Sequence, residues 1–482
     1  MLLRATLADR PRPGGPGNGM PPRVGRGCRV ADLRRPPQCV RRLPAIWLAL
    51  ALLAPQPEAA DCSGVSVGAV PLVDLGAGSY LGFEGGLYPG GSSLLPASHA
   101  VAADSHARVS LLDPAGAPDA IDGKAVLLSI GMSNTTQEFS TFIQAAGALP
   151  GRNQAIRIVD GAQGGWAAAR VADPGVNAAF WDTIDQRLAA ADVTPLQVQA
   201  VWLKEAEASP TDPFPLHAER LRDNLRKIVR IIQDRFPNTR QIFHSSRTYA
   251  GYASTNLNPE MFAYESGFAV KWLIEHQLSG SPSLNFDPSA GPVESAWMAF
   301  GPYLWADGLS PRSDGLVWEC TDFSATDGTH PSASGRGKVA ALLLDFFSTD
   351  AIAARWFMDC APSDPGVFAV PMRALDLRLV AAAGGLQLRW EDLRPSSGAA
   401  TVHDVVTGSL EDLHATGGFS DAACAATQVA AASLEDPVPE PLPGSGVWYL
   451  VRGRNSCGTG TFSEPAALQP PREALDASSP CP

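Results

Sequence analysis

Four short apolar runs, each ending in small or polar residues, are the feature that most constrains the fold of this 482-residue chain. They read AVLLSIG from Ala125, AIRIVDGAQGG from Ala155, VQAVWLKEAE from Val198 and QIFHSSR from Gln241. Runs of this length between turn residues are typical of strands buried on both faces of a parallel sheet. Between the third and fourth runs, apolar residues repeat on one face of a predicted helix, namely Leu221, Leu225, Ile228, Val229 and Ile232.

Two further segments, EMFAYESGFAVKWLIEHQL and SGRGKVAALLLDFF, also predict helices. Strands that alternate with helices predict an α/β fold, a three-layer sandwich with a mostly parallel sheet. Ligands of such sheets bind beyond the carboxyl ends of the strands. The polar ends of the four runs should therefore meet on one rim: Ser133 and Asn134, Gly161 to Gly165, Glu205 to Glu207, and Ser245 to Arg247.

The pattern changes near residue 373. ALDLRLVAA, LQLRWEDL, TVHDVVTG and GVWYLVRGRN alternate with a period of two, which predicts a small all-β sandwich after the α/β domain. The predicted organisation is a leader (1–60), a Gly/Ser-rich segment packed on the next domain or covering a site (61–123), the α/β domain (124–360), a linker (361–372), the β-sandwich (373–470) and a tail (471–482).

The first 60 residues have the layout of a secretory signal. Arg41 and Arg42 precede a run of about a dozen apolar residues, and Ala59-Ala60 offers a small-residue cleavage site. That run is shorter than the roughly 20 apolar residues a membrane span needs. The leader carries ten arginines and three acids, so the remainder of the chain has a net charge of −19 against −12 for the whole. We expect a secreted, periplasmic or cell-surface protein that binds no nucleic acid.

Six cysteines follow the leader, and an even number in an exported chain suggests disulfides. Cys320–Cys360 and Cys424–Cys457 are the predicted pairs, each within one predicted domain. The chain has no C-x-x-C or H-E-x-x-H motif, so no metal site is predicted.

Ser133, at the end of the first run, is either an ordinary loop residue or a nucleophile. A serine hydroxyl needs a neighbouring base that a third group orients. The segment ATDGTHPSASG supplies both: His330 is the candidate base, and Asp327, three residues earlier in the same turn, is its candidate partner. In the same segment, Ser332 or Ser334 is expected to cap the following helix.

Ser133 in GMSN and the DGTH segment before the last helix together resemble the SGNH (GDSL-like) hydrolase superfamily. The G-x-S-N form is most similar to the sialate O-acetylesterase and acetylxylan-esterase branch. The resemblance covers about residues 124–350 and implies a flavodoxin-like fold. It also implies roles as nucleophile, base and orienting acid for Ser133, His330 and Asp327. WYLVRGRNSCGTGTFSEP, with Trp390 and Tyr449 as core residues, resembles a fibronectin type III domain.

The resemblance also implies an oxyanion hole. Gly164 or Gly165 would donate a backbone N–H, but Glu207 stands nearest the position where the family has an asparagine donor. An ionised carboxylate cannot donate. Either the oxyanion hole is weakened, or Asn134, Gln163 or Lys204 supplies the donor.

Arg247, at a strand end, is a candidate substrate contact, while His244 is read as a strand-end residue. The aromatic segment WMAFGPYLWADG is either core or a sugar-stacking platform.

Two functions follow. The first is a secreted ester hydrolase that deacetylates an acylated carbohydrate through an acyl-enzyme and uses no cofactor. The second is a glycan- or protein-binding surface module on a degenerate hydrolase fold. The oligomeric state is open.

Overall fold

The computed structural model describes residues 59–361, 366–382, 385–435, 445–463, 470–478 and 480–481. All of them belong to one compact unit, Gln56–Pro482. The predicted leader lies outside the described residues except for Ala59 and Ala60. Within the described part of the chain, no helix is long and apolar enough to cross a membrane.

An N-terminal segment of short elements precedes the main sheet. It contains α1 (Leu72–Leu75), β1 (Ser79–Tyr80), β2 (Phe83–Glu84) and α2 (Ala97–His106). In α2, His99 stacks on Trp297 with ring centroids 4.9 Å apart, and its Nε2 lies 2.8 Å from the Met298 carbonyl oxygen. Helix α2 thus covers the outermost strand of the main sheet.

That sheet is parallel and five-stranded, which confirms the predicted α/β class. Its strands are β3 (Ala125–Gly131), β4 (Ile156–Asp160), β5 (Val198–Lys204), β6 (Gln241–His244) and β7 (Trp297–Phe300), in the order β4-β3-β5-β6-β7. The first four are the predicted runs. The fifth lies in the aromatic segment, whose rings are buried as core: Trp297, Phe300, Tyr303 and Trp305.

The helices of this domain are α3 (Ser133–Gly147), α4 (Ala168–Val171), α5 (Ala178–Ala190), α6 (Leu216–Arg235), α7 (Phe262–Leu278), α8 (Ala333–Thr349) and α9 (Ala354–Phe357). The five residues of the predicted apolar stripe on α6 are all buried. Ser332 is the N-cap of α8, because its hydroxyl accepts from the N–H groups of Ser334 and Gly335.

Two helices share one face of the sheet. Phe139 of α3 stacks on Trp202 of β5 with ring centroids 5.4 Å apart. Phe347 of α8 packs edge-on against Phe243 of β6 with ring centroids 5.9 Å apart. Parallel connections are right-handed. The chain moves one way across the sheet from β3 to β4 and the opposite way from β4 to β7, so α3 lies on one face and α5, α6 and α7 on the other.

The C-terminal part is built from antiparallel strands, as predicted. Its elements are β8 (Arg378–Ala382), β9 (Gly385–Arg389), α10 (Arg394–Ser397), β10 (Val402–Ser409), α11 (Leu410–Thr416), β11 (Ala423–Val429), β12 (Ser433–Glu435), β13 (Val447–Asn455), β14 (Gly458–Thr459) and α12 (Pro470–Ser478). One sheet has the order β11-β10-β13-β14 and the other β12-β9-β8. Trp390 is buried in a cluster with Leu388, Val405 and Val451, and the partly buried Tyr449 packs against it.

Both predicted disulfide pairs are wrong. The structure pairs Cys62 with Cys320, Cys360 with Cys457, and Cys424 with Cys481. The prediction assumed that pairs form within one domain. Instead, the N-terminal segment crosses the α/β domain to reach Cys320, and the turn between β13 and β14 lies against residue 360, where the α/β domain ends.

A buried ion pair supports the centre of the sheet. Lys204, the last residue of β5, places Nζ 2.6 and 2.5 Å from the two carboxylate oxygens of Glu138 on α3, and neither side chain is exposed. Breaking a buried pair from one side leaves an uncompensated charge, which is more destabilising than replacing both partners by apolar residues.

We therefore expect Lys204→Met to lower the free energy of unfolding by about 3–5 kcal/mol. The double variant Lys204→Met/Glu138→Leu should recover most of that loss, because no buried charge remains. Urea unfolding at neutral pH measures both values. Equal losses in the single and double variants would contradict the role given to this pair.

Candidate active site

Ser133 lies where β3 passes into α3. Gly131 ends the strand, Met132 is the N-cap and Ser133 is the first residue of the helix. A Cβ on Gly131 would collide with the Lys204 carbonyl oxygen and with the Thr135 side chain, so the tight exit from the strand requires glycine. This local geometry places the partly exposed Ser133 side chain at the carboxyl edge of the sheet.

A chain of hydrogen-bond contacts joins Ser133 to the two residues predicted as its partners. Ser133 Oγ lies 2.9 Å from His330 Nε2, although 197 residues separate them, and His330 Nδ1 lies 2.9 Å from Asp327 Oδ2. A carboxylate only accepts, so the Nδ1 proton belongs to the bond with Asp327. Nε2 is then free to accept the Ser133 hydroxyl proton.

Asp327 is held in its charged form. Burial by itself would raise its pKa, but the N–H groups of His330 and Thr329, at 2.9 and 2.8 Å from Oδ1, and the His330 ring together outweigh burial and lower the pKa of Asp327 below its ordinary value. An ionised Asp327 orients the imidazole and would stabilise its protonated form.

A series of contacts links five loops at the carboxyl edge of the sheet. A Cβ built on Gly164 would be 3.7 Å from Ser133 Cβ, so the loop after β4 lies against Ser133. This loop is joined to the loop after β5, because the Ala168 N–H donates to the Ala206 carbonyl at 3.0 Å. Asn258 Nδ2 donates to the Glu207 carbonyl at 3.1 Å. The hydroxyls of Thr255 and Thr329 are 3.0 Å apart, so the loop after β6 contacts the loop that carries His330. The predicted rim is therefore formed by the β3, β4, β5 and β6 loops together with the His330 loop.

The two glycine candidates differ in position. Gly164 is exposed and directly beside Ser133, whereas the Gly165 carbonyl accepts from Arg170 Nη1 at 2.7 Å on the outer side of the loop. The backbone N–H groups of Gly164 and Ser133 are donors close to the hydroxyl. An N–H in the first turn of a helix has no partner within the helix.

Each side chain considered as a substitute donor is engaged elsewhere. Asn134 is buried and donates to the Thr329 carbonyl at 2.9 Å, which ties α3 to the His330 loop. Gln163 Nε2 donates to the carbonyls of Gly161 and Phe180 at 3.2 and 2.8 Å. Lys204 is paired with Glu138.

Glu207 is buried, and its Oε1 accepts from Asn224 Nδ2 at 2.7 Å. The carboxylate is therefore oriented by α6. Arg247 is 1 % exposed, so its side chain is enclosed rather than presented at the rim. His244 is wholly buried, and burial lowers its pKa to about 3, so its ring is uncharged inside the domain.

Sequence reasoning grouped Glu205 with the rim but did not identify its environment. Glu205 is 3 % exposed, and no described side chain donates to its carboxylate oxygens. Burial, with a further contribution from Glu207, raises the pKa of Glu205 well above its ordinary value, although the Ala206 N–H acts in the opposite direction. A charged carboxylate without a side-chain partner would be costly there.

A second, partly buried acid behaves similarly. Burial raises the pKa of Glu260 to about 7, although Trp305 Nε1 donates to its Oε1 at 2.9 Å and Arg247 acts in the opposite direction. Burial therefore favours the uncharged carboxyl at both positions.

Two sizeable cavities of the described structure lie elsewhere. A cavity of about 600 Å³ is lined by Gln199, Thr239 and Arg240, near the amino ends of β5 and β6, and one of about 900 Å³ lies between α9 and the C-terminal strands. Neither contains Ser133 or His330 in its lining.

Comparison with known proteins gives no family assignment. No protein-family model matches the chain, and no curated protein does either. Solved structures that resemble it include a catalytic mutant of an acetylxylan esterase from Geobacillus stearothermophilus, at 14% identity, 50% coverage of this chain, 100% of that chain and a TM-score of 0.28. The periplasmic domain of a Salmonella ser. Paratyphi A lipopolysaccharide acetyltransferase matches at 15% identity, with 48% and 84% coverage and a TM-score of 0.26.

The C-terminal catalytic domain of a Streptococcus pneumoniae peptidoglycan O-acetyltransferase matches at 12% identity, with 47% and 93% coverage and a TM-score of 0.25. At these TM-scores and identities the likenesses carry no conclusion about function. The functional interpretation rests on the geometry of the described site.

The raised pKa of Glu205 predicts that the free energy of unfolding depends on pH. In the unfolded chain Glu205 ionises above its ordinary pKa of 4.5, whereas the folded protein retains the proton, so stability should fall as pH rises above that value. Glu205→Gln cannot ionise, and we expect a smaller loss of unfolding free energy between pH 5 and pH 8 than in the wild type.

Urea unfolding at the two pH values measures this difference. Glu411→Gln, at an exposed position on α11, is the control and should keep the wild-type dependence. The same pH dependence in Glu205→Gln and the wild type would show that Glu205 is ionised in the folded protein.

Proposed function

We propose that the chain is a serine ester hydrolase of the SGNH type that removes an acyl group, most simply acetyl, from an acylated carbohydrate. The observation that carries this proposal is the contact chain from Ser133 Oγ through His330 to Asp327, with both links at 2.9 Å. Nucleophile, base and orienting acid within hydrogen-bond reach are the arrangement that activates a serine hydroxyl.

The proposed reaction has two halves. His330 Nε2 takes the Ser133 proton as Oγ attacks the ester carbonyl, and the resulting oxyanion accepts from the N–H groups of Gly164 and Ser133. Collapse releases the alcohol, which takes the proton from His330, and leaves an acyl-enzyme on Ser133. Water then gives a proton to His330 and attacks the acyl carbon; the acid leaves and Ser133 regains its proton. No cofactor takes part in these steps.

Other parts of the proposal have their own support. The sheet order is 2-1-3-4-5 when strands are counted along the chain, which supports a flavodoxin-like topology. The buried Trp390 and its neighbour Tyr449 support a fibronectin type III-like C-terminal domain. Three disulfides that use all six cysteines after the leader support export. The carbohydrate substrate rests on the resemblance of GMSN to the acetylesterase branch.

The second candidate function is a binding module on an impaired hydrolase fold, and Glu207 is the observation that favours it. An ionised carboxylate at the position where the resembling family has its asparagine donor would repel a developing oxyanion instead of donating to it. Loss of one oxyanion donor costs about 10²–10³-fold in rate.

The direct test uses p-nitrophenyl acetate and an acetylated xylan as substrates. We expect Ser133→Ala to reduce hydrolysis to the background rate and Asp327→Asn to reduce kcat by about 10²–10⁴-fold. Ser140→Ala, at an exposed position on the same helix, is the matched control and should retain activity. Wild-type and Ser133→Ala rates that are equal, together with no labelling of Ser133 by a fluorophosphonate, would rule out the hydrolase.

A second variant separates the two functions. Glu207→Gln keeps the length of the side chain and the bond from Asn224, and it replaces the other oxygen by an amide donor. We expect kcat for p-nitrophenyl acetate to rise, by up to about 10²-fold if a full donor is gained. Glu207→Asp, which keeps the charge, is the control. An unchanged kcat in the Glu207→Gln variant would mean that the Glu207 side chain does not face the oxyanion.

A further inference from the structure

The loop that carries Asp327 and His330 is supported by a neighbouring loop rather than by the sheet. The Ser254 N–H donates to the Asp327 carbonyl at 3.0 Å, and Thr255 contacts Thr329 through their hydroxyls. Gly328 lies so close to the Tyr252 carbonyl that a Cβ at residue 328 would collide with it. The position of His330 therefore depends on residues 252–255.

Residues 61–70, here called the N-terminal strap, follow the predicted leader and lie against the loop of Tyr252. The Asp61 N–H donates to the Tyr252 carbonyl at 3.0 Å. The next residue, Cys62, is bonded to Cys320. The Tyr252 carbonyl thus contacts both segments, because it accepts from the Asp61 N–H of the strap and lies against Gly328 of the His330 loop.

Cys320 connects the strap to the base of the His330 loop. It begins the short helical turn Cys320–Asp322, and the Asp322 carbonyl accepts from the Ser332 N–H at 2.8 Å. Phe323 and Pro331 form an isolated bridge across the two ends of the loop. The disulfide is therefore attached where the loop leaves and re-enters the domain.

The remainder of the strap is fixed independently. The Tyr249 hydroxyl donates to the Gly64 carbonyl at 2.7 Å, and the Leu309 N–H donates to the Val65 carbonyl at 2.8 Å. Asp307, which is 3 % exposed, accepts from Ser66 Oγ at 2.5 Å and from the N–H groups of Val67 and Gly68 at 2.7 and 3.0 Å. A segment with so many fixed contacts can act as a rigid support.

We propose that the N-terminal strap, locked by the Cys62–Cys320 disulfide, is a positioning element that holds His330 at hydrogen-bond distance from Ser133. This proposal rests on the proposed hydrolase function for its kinetic consequence. The strap itself touches no reacting atom. It acts on the loop through Tyr252 and Cys320, and a displacement of about 1 Å in a catalytic group can cost about 10²-fold in rate.

The test compares two disulfide variants of the full chain. Cys62→Ala/Cys320→Ala removes the lock, and Cys424→Ala/Cys481→Ala removes the disulfide within the C-terminal strands as the matched control. At a temperature where circular dichroism shows both variants folded, we expect kcat for p-nitrophenyl acetate to fall by about 10–10²-fold in the first alone, with KM nearly unchanged. A disulfide that only stabilises the fold would lower the melting temperature and leave kcat intact.

Hydrogen exchange of residues 324–331 supplies a readout that does not need activity. We expect faster exchange there in Cys62→Ala/Cys320→Ala than in the control. Unchanged exchange, or an unchanged kcat in an active protein, would overturn the positioning role. Faster exchange in a chain whose wild type hydrolyses no ester would instead refute the proposed function and leave the structural role of the strap in place.

A second variant covers the case in which the disulfide variant does not fold. Gly64→Ala keeps the disulfide but puts a Cβ onto the Gly251 carbonyl, so it should displace the strap and give the same two effects. Gly337→Ala, in α8, meets nothing within 4 Å and is its control. Normal kcat and normal exchange in a folded Gly64→Ala would likewise overturn the proposal.

Discussion

The parallel pairing of β3 with β4 and β5 is the constraint on which the rest of the structure depends. Gly131, the last residue of β3, pairs with Lys204, the last residue of β5, so both strands end at the same level. Chain segments that follow parallel strands must then leave from one edge. Ser133 and Gly164 are brought together by this register, Glu207 follows β5 at the same edge, and the His330 loop contacts Ser133 from a distant part of the sequence.

The charges behind Ser133 follow from the same register. Because β5 ends in the centre of the sheet, Lys204, Glu205 and Glu207 are enclosed by the helices and loops on either face. Enclosure favours neutral forms and paired charges. The Glu138–Lys204 pair is an example of paired charges, and the raised pKa of Glu205 shows that burial favours its neutral form. In the same enclosed region, Asn224 donates a hydrogen bond to the Glu207 carboxylate.

Local patterns in the sequence predicted the local structure well. Four strands, α6 and the cap of α8 follow from apolar periodicity and from the chemistry of serine at a helix start. Asp327 and His330 were identified because their spacing in one turn is itself local. The fifth strand escaped prediction, since WMAF is short and its aromatic residues suit either a core or a binding surface. The disulfides were mispredicted because Cys62 and Cys320, 258 residues apart, meet only once the strap has crossed the folded domain.

The central claim, that Ser133 is acylated during catalysis, has a direct measurement. Rapid quenching of the protein during reaction with p-nitrophenyl acetate, followed by mass spectrometry of its peptides, should find one added acetyl group on the peptide that contains Ser133. Ser133→Ala should show none under the same conditions. Hydrolysis that proceeds in the wild type without acetylated Ser133, or with equal acetylation elsewhere in the Ser133→Ala variant, would contradict the account.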